Sequence, residues 1–137
     1  MTKNKIADVE TLLQNWEQTY KKGLLTFWIL LILHERPCYP LGMNRLVTSL
    51  SGDTISADDN SIYRALYRFE EMGIVNSMLV PSDSRQTRRY FMLTPTGLDL
   101  LQQFIKRNVL LFQTPDLAHR IQSVFEQPVG NMEMIEE

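Results

Sequence analysis

The sequence has few of the residues that build disulfides and metal sites. Its one cysteine, Cys38, cannot form an intramolecular disulfide, and the N-terminus lacks the apolar core and cleavage site of a secretory signal. Together with that cysteine, His34 and His119 are too few and wrongly spaced for a zinc site of the usual kind. We therefore expect a protein without a metal or cofactor, located in a reducing cytoplasm.

The sequence also lacks the patterns of enzymes and of membrane proteins. No glycine-rich phosphate loop follows a predicted strand, and no nucleophile has a histidine and a carboxylate arranged around it. The longest nearly apolar run, Leu24 to Leu33, has about ten residues, roughly half of what a membrane-spanning helix needs. We therefore predict a protein that is not an enzyme, has no membrane partner and buries this run in its core.

Neither sign of charge is in large excess. The formal net charge is −2 over 137 residues, a length that suits one domain with appended helices. From Arg36 to Thr94 there are seven arginines and six carboxylates, and the rest of the chain is more acidic than basic. This asymmetry has the sign that DNA binding requires, but it is small.

The segment from Asn60 to Met72 has the periodicity of an amphipathic helix, with tyrosines and arginines on its polar face. Its apolar face consists of Ile62, Ala65, Leu66, Phe69 and Met72. Gly73 suits the left-handed residue that ends a helix, and Ile74 can fold back onto Phe69 as in a Schellman cap. One face therefore anchors the helix, and the other is free to read a partner.

Two short strands are predicted directly after this helix. Val75 to Val80 and Arg88 to Leu93 have strand character, and Pro81 to Thr87 is a polar loop between them. The loop and its edges carry Arg85, Arg88 and Arg89. A reading helix followed by such a hairpin is the signature of a winged helix, so we predict a mainly α fold with a small β-wing, of the α+β class.

Further helices are predicted before the reading helix. An N-terminal helix is separated at Lys21–Gly23 from a hydrophobic helix that ends before Pro37, because the residue ahead of a proline resists helical geometry. Pro40 suits the first position of the next helix. Ser56 and Asp59 have the spacing of a capping box that opens the reading helix.

A long helix is predicted from Thr94 to about Phe112, followed by a short amphipathic segment. Its apolar residues form two nearly opposite stripes; one can cover its own domain, and the other needs a second surface. The N-terminal helix also carries an uncovered apolar stripe. A second copy of the chain is the economical partner, so we predict a homodimer. The predicted interface residues are Ile6, Val9, Leu13, Trp16, Leu101, Phe104, Ile105, Leu111 and Phe112.

These elements divide the chain into four predicted parts. Residues 1–22 form an N-terminal dimerisation helix, and residues 23–94 form the winged helix-turn-helix domain. Residues 95–127 contain the long helix and the short C-terminal helical segment, which also serve dimerisation. Residues 128–137 form a flexible tail.

Two motifs resemble those of the PadR family of bacterial transcriptional regulators. Asn60 to Val75, NSIYRALYRFEEMGIV, is similar to the family's tyrosine-centred recognition helix and the glycine that ends it. Arg88 to Gly97, RRYFMLTPTG, is similar to the return strand of the wing and the opening of the long helix. The resemblance covers roughly residues 22–108. In addition, the extended N-terminal helix and the short C-terminal segment resemble the compact branch of the family. It implies a ligand-responsive repressor that binds a pseudo-palindromic operator as a homodimer.

The polar face of the reading helix has the groups that a DNA major groove can use, because arginine pairs with guanine and asparagine with adenine. The predicted reading residues are Asn60, Ser61, Tyr63, Arg64, Tyr67 and Arg68. The predicted wing contacts, which would hold phosphates or enter the minor groove, are Ser84, Arg85, Thr87, Arg88 and Arg89.

Each assignment has a plainer alternative. The tyrosines can be half-buried aromatics at a helix edge, and the arginines an ordinary solvated surface. Trp16, Trp28 and Phe104 are, through the resemblance, a candidate pocket for an aromatic or drug-like effector between protomers, or else they pack in a core. For the whole protein, the alternatives are a winged-helix adaptor that binds proteins instead of DNA, and a DNA-binding regulator without an effector.

Overall fold

The computed structural model describes residues 8–81 and 87–129, and these form a mostly helical fold with one antiparallel hairpin. The helices are α1 (Val9–Glu35), α2 (Met43–Leu50), α3 (Asp59–Glu71), α4 (Pro95–Phe104) and α5 (Pro115–Glu126), and the strands are β1 (Val75–Pro81) and β2 (Thr87–Leu93). The predicted fold class, a winged helix of the α+β type, is confirmed. The chain divides into two compact units, one ending at Leu101 and the other beginning at Gln102.

Helix α1 replaces two predicted helices. It runs from Val9 to Glu35 without a break, so the predicted separation at residues 21–23 is wrong. A lone glycine costs a helix only about 1 kcal/mol, and the ion pair between Lys21 and Glu17, one turn apart at 3.6 Å, supports the helix there. No helix among the described residues is long and apolar enough to cross a membrane.

The core of the first unit is formed by the apolar faces of α1, α2, α3 and the hairpin. Its most deeply buried side chains are Ile29, Leu30, Met43, Val47, Ile62, Leu66, Val75 and Phe91. The predicted apolar face of α3 is buried except at Met72, the C-cap residue, which is exposed. The buried face fixes which side of α3 remains outside.

Two helices begin later than predicted. Helix α2 starts at Met43 and not at Pro40, because Gly42 adopts a left-handed φ of 92° that interrupts helical geometry. Helix α3 is capped by Asp58 and not by Ser56. The Asp58 carboxylate accepts a hydrogen bond from the Ser61 backbone N–H at 2.7 Å, which satisfies one of the unpaired donors of the first turn.

The end of α3 has the predicted Schellman cap. Gly73 has a left-handed φ of 79°, and the N–H of Ile74 donates to the carbonyl of Phe69 at 3.0 Å. The N–H of Gly73 donates to the carbonyl of Glu70, also at 3.0 Å. The two bonds are the pair that defines this motif, and they set the direction in which the chain leaves α3 for the wing.

Helix α4 begins against this cap. The Thr94 hydroxyl donates to the Gly73 carbonyl at 2.7 Å and accepts from the Gly97 N–H at 3.0 Å. A Cβ atom at Gly97 would clash with the backbone carbonyl oxygen of Ile74, so only glycine fits this contact. The hairpin is therefore held at its base by both helices that flank it.

The predicted long helix changes type along its length. Helix α4 is followed by a π-helical segment, Ile105–Val109, and a 3-10 segment, Leu110–Gln113. These segments turn by different angles per residue from an α-helix, so a uniform helical wheel misplaces the residues beyond Phe104. The prediction of two continuous stripes to Phe112 is therefore wrong in its second half.

Candidate nucleic-acid interface

The predicted reading residues lie on the outer half of α3. Asn60, Tyr63, Arg64, Tyr67 and Arg68 are exposed, and Ser61 is half-buried. The residues on the opposite side of the helix, Ile62, Ala65, Leu66 and Phe69, are buried. The helix thus presents a surface of two phenols, two guanidinium groups and an amide over about two turns.

The tyrosines on α3 are supported by a ring contact to the hairpin. The Tyr63 and Tyr67 rings stack with centroids 6.3 Å apart, and the Tyr67 ring meets the buried Phe91 ring edge-on at 5.8 Å. Tyr63 is 37% exposed and Tyr67 is 46% exposed. The tyrosines therefore fit both the predicted reading role and the plainer alternative of aromatics at a helix edge. One side of each ring packs against a neighbouring ring, and the side chain remains accessible on the other side.

The start of α3 is acidic beside Arg64, one of the predicted reading residues. The hydrogen bonds from Ser61 hold the pKa of the Asp58 carboxyl below its usual value, and the Arg64 charge adds to this shift. Arg64 in turn makes a long hydrogen bond, 3.4 Å, to the Ser61 hydroxyl. The ionised Asp58 carboxylate therefore places a negative charge at this end of the helix, next to the Arg64 guanidinium.

The two arginines of β2 lie on opposite faces of the hairpin. Arg89 shares the face of Phe91, which packs toward α3, whereas Arg88 shares the other face with Tyr90, because strand residues alternate. The Arg88 guanidinium lies 4.6 Å from the centroid of the Tyr39 ring. The structure therefore does not bring Arg88 and Arg89 onto one surface, although both are only half-buried.

Three polar side chains link α3 to the wing. The Ser77 hydroxyl donates to a Glu70 carboxylate oxygen at 2.6 Å, and the Arg89 guanidinium donates to the Ser77 hydroxyl at 2.8 Å. Sequence reasoning missed this contact because the residues are up to 19 positions apart and follow no motif. Of the other predicted wing residues, Thr87 is exposed, and Ser84 and Arg85 lie outside the described residues.

A second missed contact anchors the wing to the end of α1. Cys38 and Phe91 exchange backbone hydrogen bonds of 3.1 and 2.7 Å, so the segment between α1 and α2 pairs with β2. Burial raises the pKa of the Cys38 thiol. A two-residue bridge carries no periodic pattern, so nothing in the sequence could have revealed it.

Two lysines that sequence reasoning assigned to a linker lie near the start of α3. The residues that line a cavity of about 440 Å³ include Lys21 and Lys22 of α1, the α3 cap Asp58, and Ser61 of α3. Lys21 also pairs with Glu17. The lysines add positive charge next to the predicted reading helix. The segment from Arg36 to Thr94, which contains that helix, has nearly equal numbers of arginines and carboxylates.

Most predicted dimerisation residues within the described part of the chain are at least partly exposed. Val9, Leu13 and Trp16 on the first half of α1 are exposed, as are Leu111 and Phe112 in the second unit. Phe104 and Ile105 are half-buried, and Ile6 lies outside the described residues. The prediction that Leu101 belongs to the dimer interface is wrong. Its side chain is 3% exposed and is covered within its own chain, so it is not available to a partner.

The predicted effector residues do not meet within α1. Trp16 is 75% exposed, whereas Trp28 is half-buried against Phe27 with ring centroids 5.2 Å apart. The two tryptophans are about 18 Å apart along the helix axis, at 1.5 Å per residue. The Trp28 indole N–H is buried and has no hydrogen-bond partner among the described residues. Phe104 belongs to the second unit.

Comparison with known proteins identifies a family. The model of the transcriptional regulator PadR-like family matches residues 29–103, which is more than half of the chain. A search of curated proteins found no match.

Solved structures with a similar fold include regulators from several organisms. A PadR family transcriptional regulator from Eggerthella lenta is 21% identical, with a TM-score of 0.64 over 87% of this chain and 96% of that one. A PadR-like regulator from Bacillus cereus is 21% identical, with a TM-score of 0.59 over 78% and 96%. Bacillus subtilis PadR in complex with operator DNA is 17% identical, with a TM-score of 0.57 over 83% and 53%.

Proposed function

Because this chain belongs to the PadR-like family of transcriptional regulators, we propose that it is a repressor that binds a pseudo-palindromic operator as a homodimer. Members of this family are regulators and not enzymes. In the proposed complex, α3 of each protomer enters a major groove, and the two grooves lie about one helical turn apart, as for other symmetric helix-turn-helix dimers. Its site of action would be the cytoplasm.

The observation that carries this proposal is the outer half of α3. Its buried face and its two caps hold the helix, while Tyr63, Arg64 and Tyr67 remain exposed beside one another. An arginine on such a surface can reach the O6 and N7 acceptors of guanine, and Asn60 one turn earlier can pair with adenine. The operator complex of the similarly folded Bacillus subtilis PadR supports DNA as the partner.

The wing and α1 supply contacts to the DNA backbone in this proposal. Arg88 and Thr87 at the start of β2, with Ser84 and Arg85 in the loop, hold phosphates or enter the minor groove. Lys22 is exposed beside the start of α3 and adds a further phosphate contact. Such contacts set affinity and register, and they leave sequence preference to α3.

Dimerisation is proposed from the exposed apolar residues. Val9, Leu13 and Trp16 are exposed about one turn apart on one side of α1, and a contiguous exposed apolar patch marks an interaction site. Leu111 and Phe112 of the second unit add to the proposed interface. A second copy of the chain covers the same residues symmetrically.

An effector site between protomers is the second part of the proposal. The buried indole N–H of Trp28 lacks an acceptor among the described residues, and a buried donor without a partner is costly. An aromatic ligand with a carbonyl or hydroxyl oxygen can supply that acceptor. Trp16 and Trp28 are far apart on one helix, so in the proposed pocket Trp16 of one protomer meets Trp28 of the other.

The test is equilibrium binding of the full chain to labelled DNA. Footprinting on the DNA upstream of the protein's own coding region identifies the protected duplex, and a shuffled duplex of the same composition is the control. We expect selective binding with two protomers per duplex and a steep decrease of affinity with salt, since several phosphate contacts release counterions. The absence of a selective, salt-sensitive complex would contradict the proposal and favour the protein-binding adaptor.

A further inference from the structure

The Ser77 hydroxyl joins the reading helix to both strands of the wing. It lies 2.6 Å from a Glu70 carboxylate oxygen and 2.8 Å from an Arg89 guanidinium nitrogen. Because arginine has no acceptor, the Ser77 oxygen accepts from Arg89, and its own proton therefore points to Glu70. The direction of both hydrogen bonds is fixed by the chemistry of the three groups.

These residues belong to three different elements. Glu70 is in the last turn of α3, Ser77 is near the middle of β1, and Arg89 is on β2, diagonally across from Ser77. All three side chains lie on the α3 side of the hairpin, next to the ring contact between Tyr67 and Phe91. A shift of the hairpin along α3 would therefore break the Ser77–Glu70 hydrogen bond, and a shift between the two strands would break the Arg89–Ser77 hydrogen bond.

Ser77 lies at the border between the buried and the exposed part of β1. On the same face of β1, Val75 is fully buried, whereas Leu79 is 58% exposed. Both hydrogen bonds are partly buried and both involve a charged group, which makes them stronger than neutral bonds at the surface. Glu70 also compensates the Arg89 charge through the serine, so less of that charge is available to a phosphate.

We propose that Glu70, Ser77 and Arg89 form a positioning relay that holds the wing at a fixed place beside α3, and that Arg89 influences DNA binding through this relay and not as a phosphate contact. This inference rests on the proposed function and revises the sequence-based role of Arg89. Arg88 on the opposite face of the hairpin keeps its proposed role as a phosphate contact.

The experiment compares Ser77→Ala, Arg89→Gln and the double variant for affinity to the protected duplex at several salt concentrations. Each single variant should bind about three- to tenfold more weakly, the loss expected for one misplaced set of contacts. The double variant should lose no more than a single one, because both substitutions break the same relay. The slope of log affinity against log salt should not change.

Two further variants separate the relay from general damage to the hairpin. Ser77→Thr keeps the hydroxyl and should bind within about twofold of the unmodified protein. Asn76→Ala removes a polar side chain from the other face of the same strand and should have no effect on binding. Melting curves of every variant verify that the fraction of folded protein is the same.

Several outcomes would overturn the inference. If Arg89→Gln alone lowers the magnitude of the salt slope by about 0.9, Arg89 is a phosphate contact. Additive losses in the double variant, or unchanged affinity in Ser77→Ala, would also contradict the relay.

The same variants give a readout without DNA. A double-mutant cycle on thermal unfolding should show coupling between Ser77→Ala and Arg89→Gln, and zero coupling would disprove the relay whatever the DNA experiment shows. If the unmodified protein shows no selective DNA binding, the proposed function fails, and with it the role of the relay in DNA binding.

Discussion

Helix α3 and the hairpin behind it carry arginines of the same type but hold them differently. Arg64 on α3 is exposed and makes a long hydrogen bond of 3.4 Å to Ser61. On the hairpin, Arg88 lies over the Tyr39 ring and Arg89 donates to Ser77 at 2.8 Å. The helix thus leaves its guanidinium available to a partner, whereas the wing uses part of its charge to fix its own position.

The same difference separates specificity from affinity. A base contact requires a side chain that is accessible and held on a rigid support. Tyr63 and Tyr67 meet that condition, because their rings stack and the Tyr67 ring packs against Phe91. A phosphate contact requires only charge at a suitable distance. We therefore propose that α3 selects the sequence and that the wing sets the strength of binding.

The largest expected effect tests the ring contact that joins the two regions. Phe91→Ala removes a fully buried side chain that contacts Tyr67, and we expect the free energy of unfolding to fall by about 3–5 kcal/mol. Leu79→Ala on the same face of the hairpin removes an exposed side chain and should change it by less than about 0.5 kcal/mol. Urea unfolding measures both; equal losses would show that Phe91 is not a common anchor.

A smaller effect is expected at the junction of the hairpin with α4. Gly97→Ala forces a methyl group against the Ile74 carbonyl oxygen and should destabilise the protein by about 1–3 kcal/mol. The matched control is Gly23→Ala in α1, where the added methyl group meets nothing within 4 Å. That control should stabilise the protein by up to about 1 kcal/mol, since alanine favours a helix. Thermal unfolding that shifts in the same direction for both variants would contradict this account.

The smallest effect concerns the cap of α3. Asp58→Ala should lower the melting temperature by a few degrees, whereas Asp58→Asn, which still accepts the Ser61 N–H, should lower it less. Because the folded-state pKa of Asp58 is lowered, its stabilisation is present above the ordinary value of 3.8 and is lost as the pH falls through the lowered value. Melting curves between pH 7 and pH 2 check this; an Asp58→Ala deficit that persists at the lowest pH would exclude the charged cap.

Local patterns predicted the fold well. The 3.6-residue period identified the buried face of α3, and Gly73 identified its end, because a helix face and a Schellman cap depend on residues only a few positions apart. The strand bounds are also within one residue of the prediction, since Val75–Pro81 and Thr87–Leu93 have β-branched and aromatic residues between turn signals.

Long-range contacts could not be predicted in the same way. The relay through Ser77 and the bridge between Cys38 and Phe91 join residues that are far apart in the sequence. The break that was predicted at residues 21–23 failed for a local reason, because a lone glycine costs a helix only about 1 kcal/mol and the Lys21–Glu17 ion pair supports the helix there. The π-helical segment Ile105–Val109 has no periodic signal of its own.

The most direct test of the central claim is the ratio of affinities for the protected duplex and the shuffled duplex. The combined variant Tyr63→Ala with Arg64→Ala should lower that ratio by about ten- to a hundredfold while the dimer stays folded, because base contacts are lost. Arg88→Gln should weaken binding to both duplexes and leave the ratio unchanged. A folded, dimeric Tyr63→Ala and Arg64→Ala variant with an unchanged ratio would contradict the assignment of sequence reading to α3.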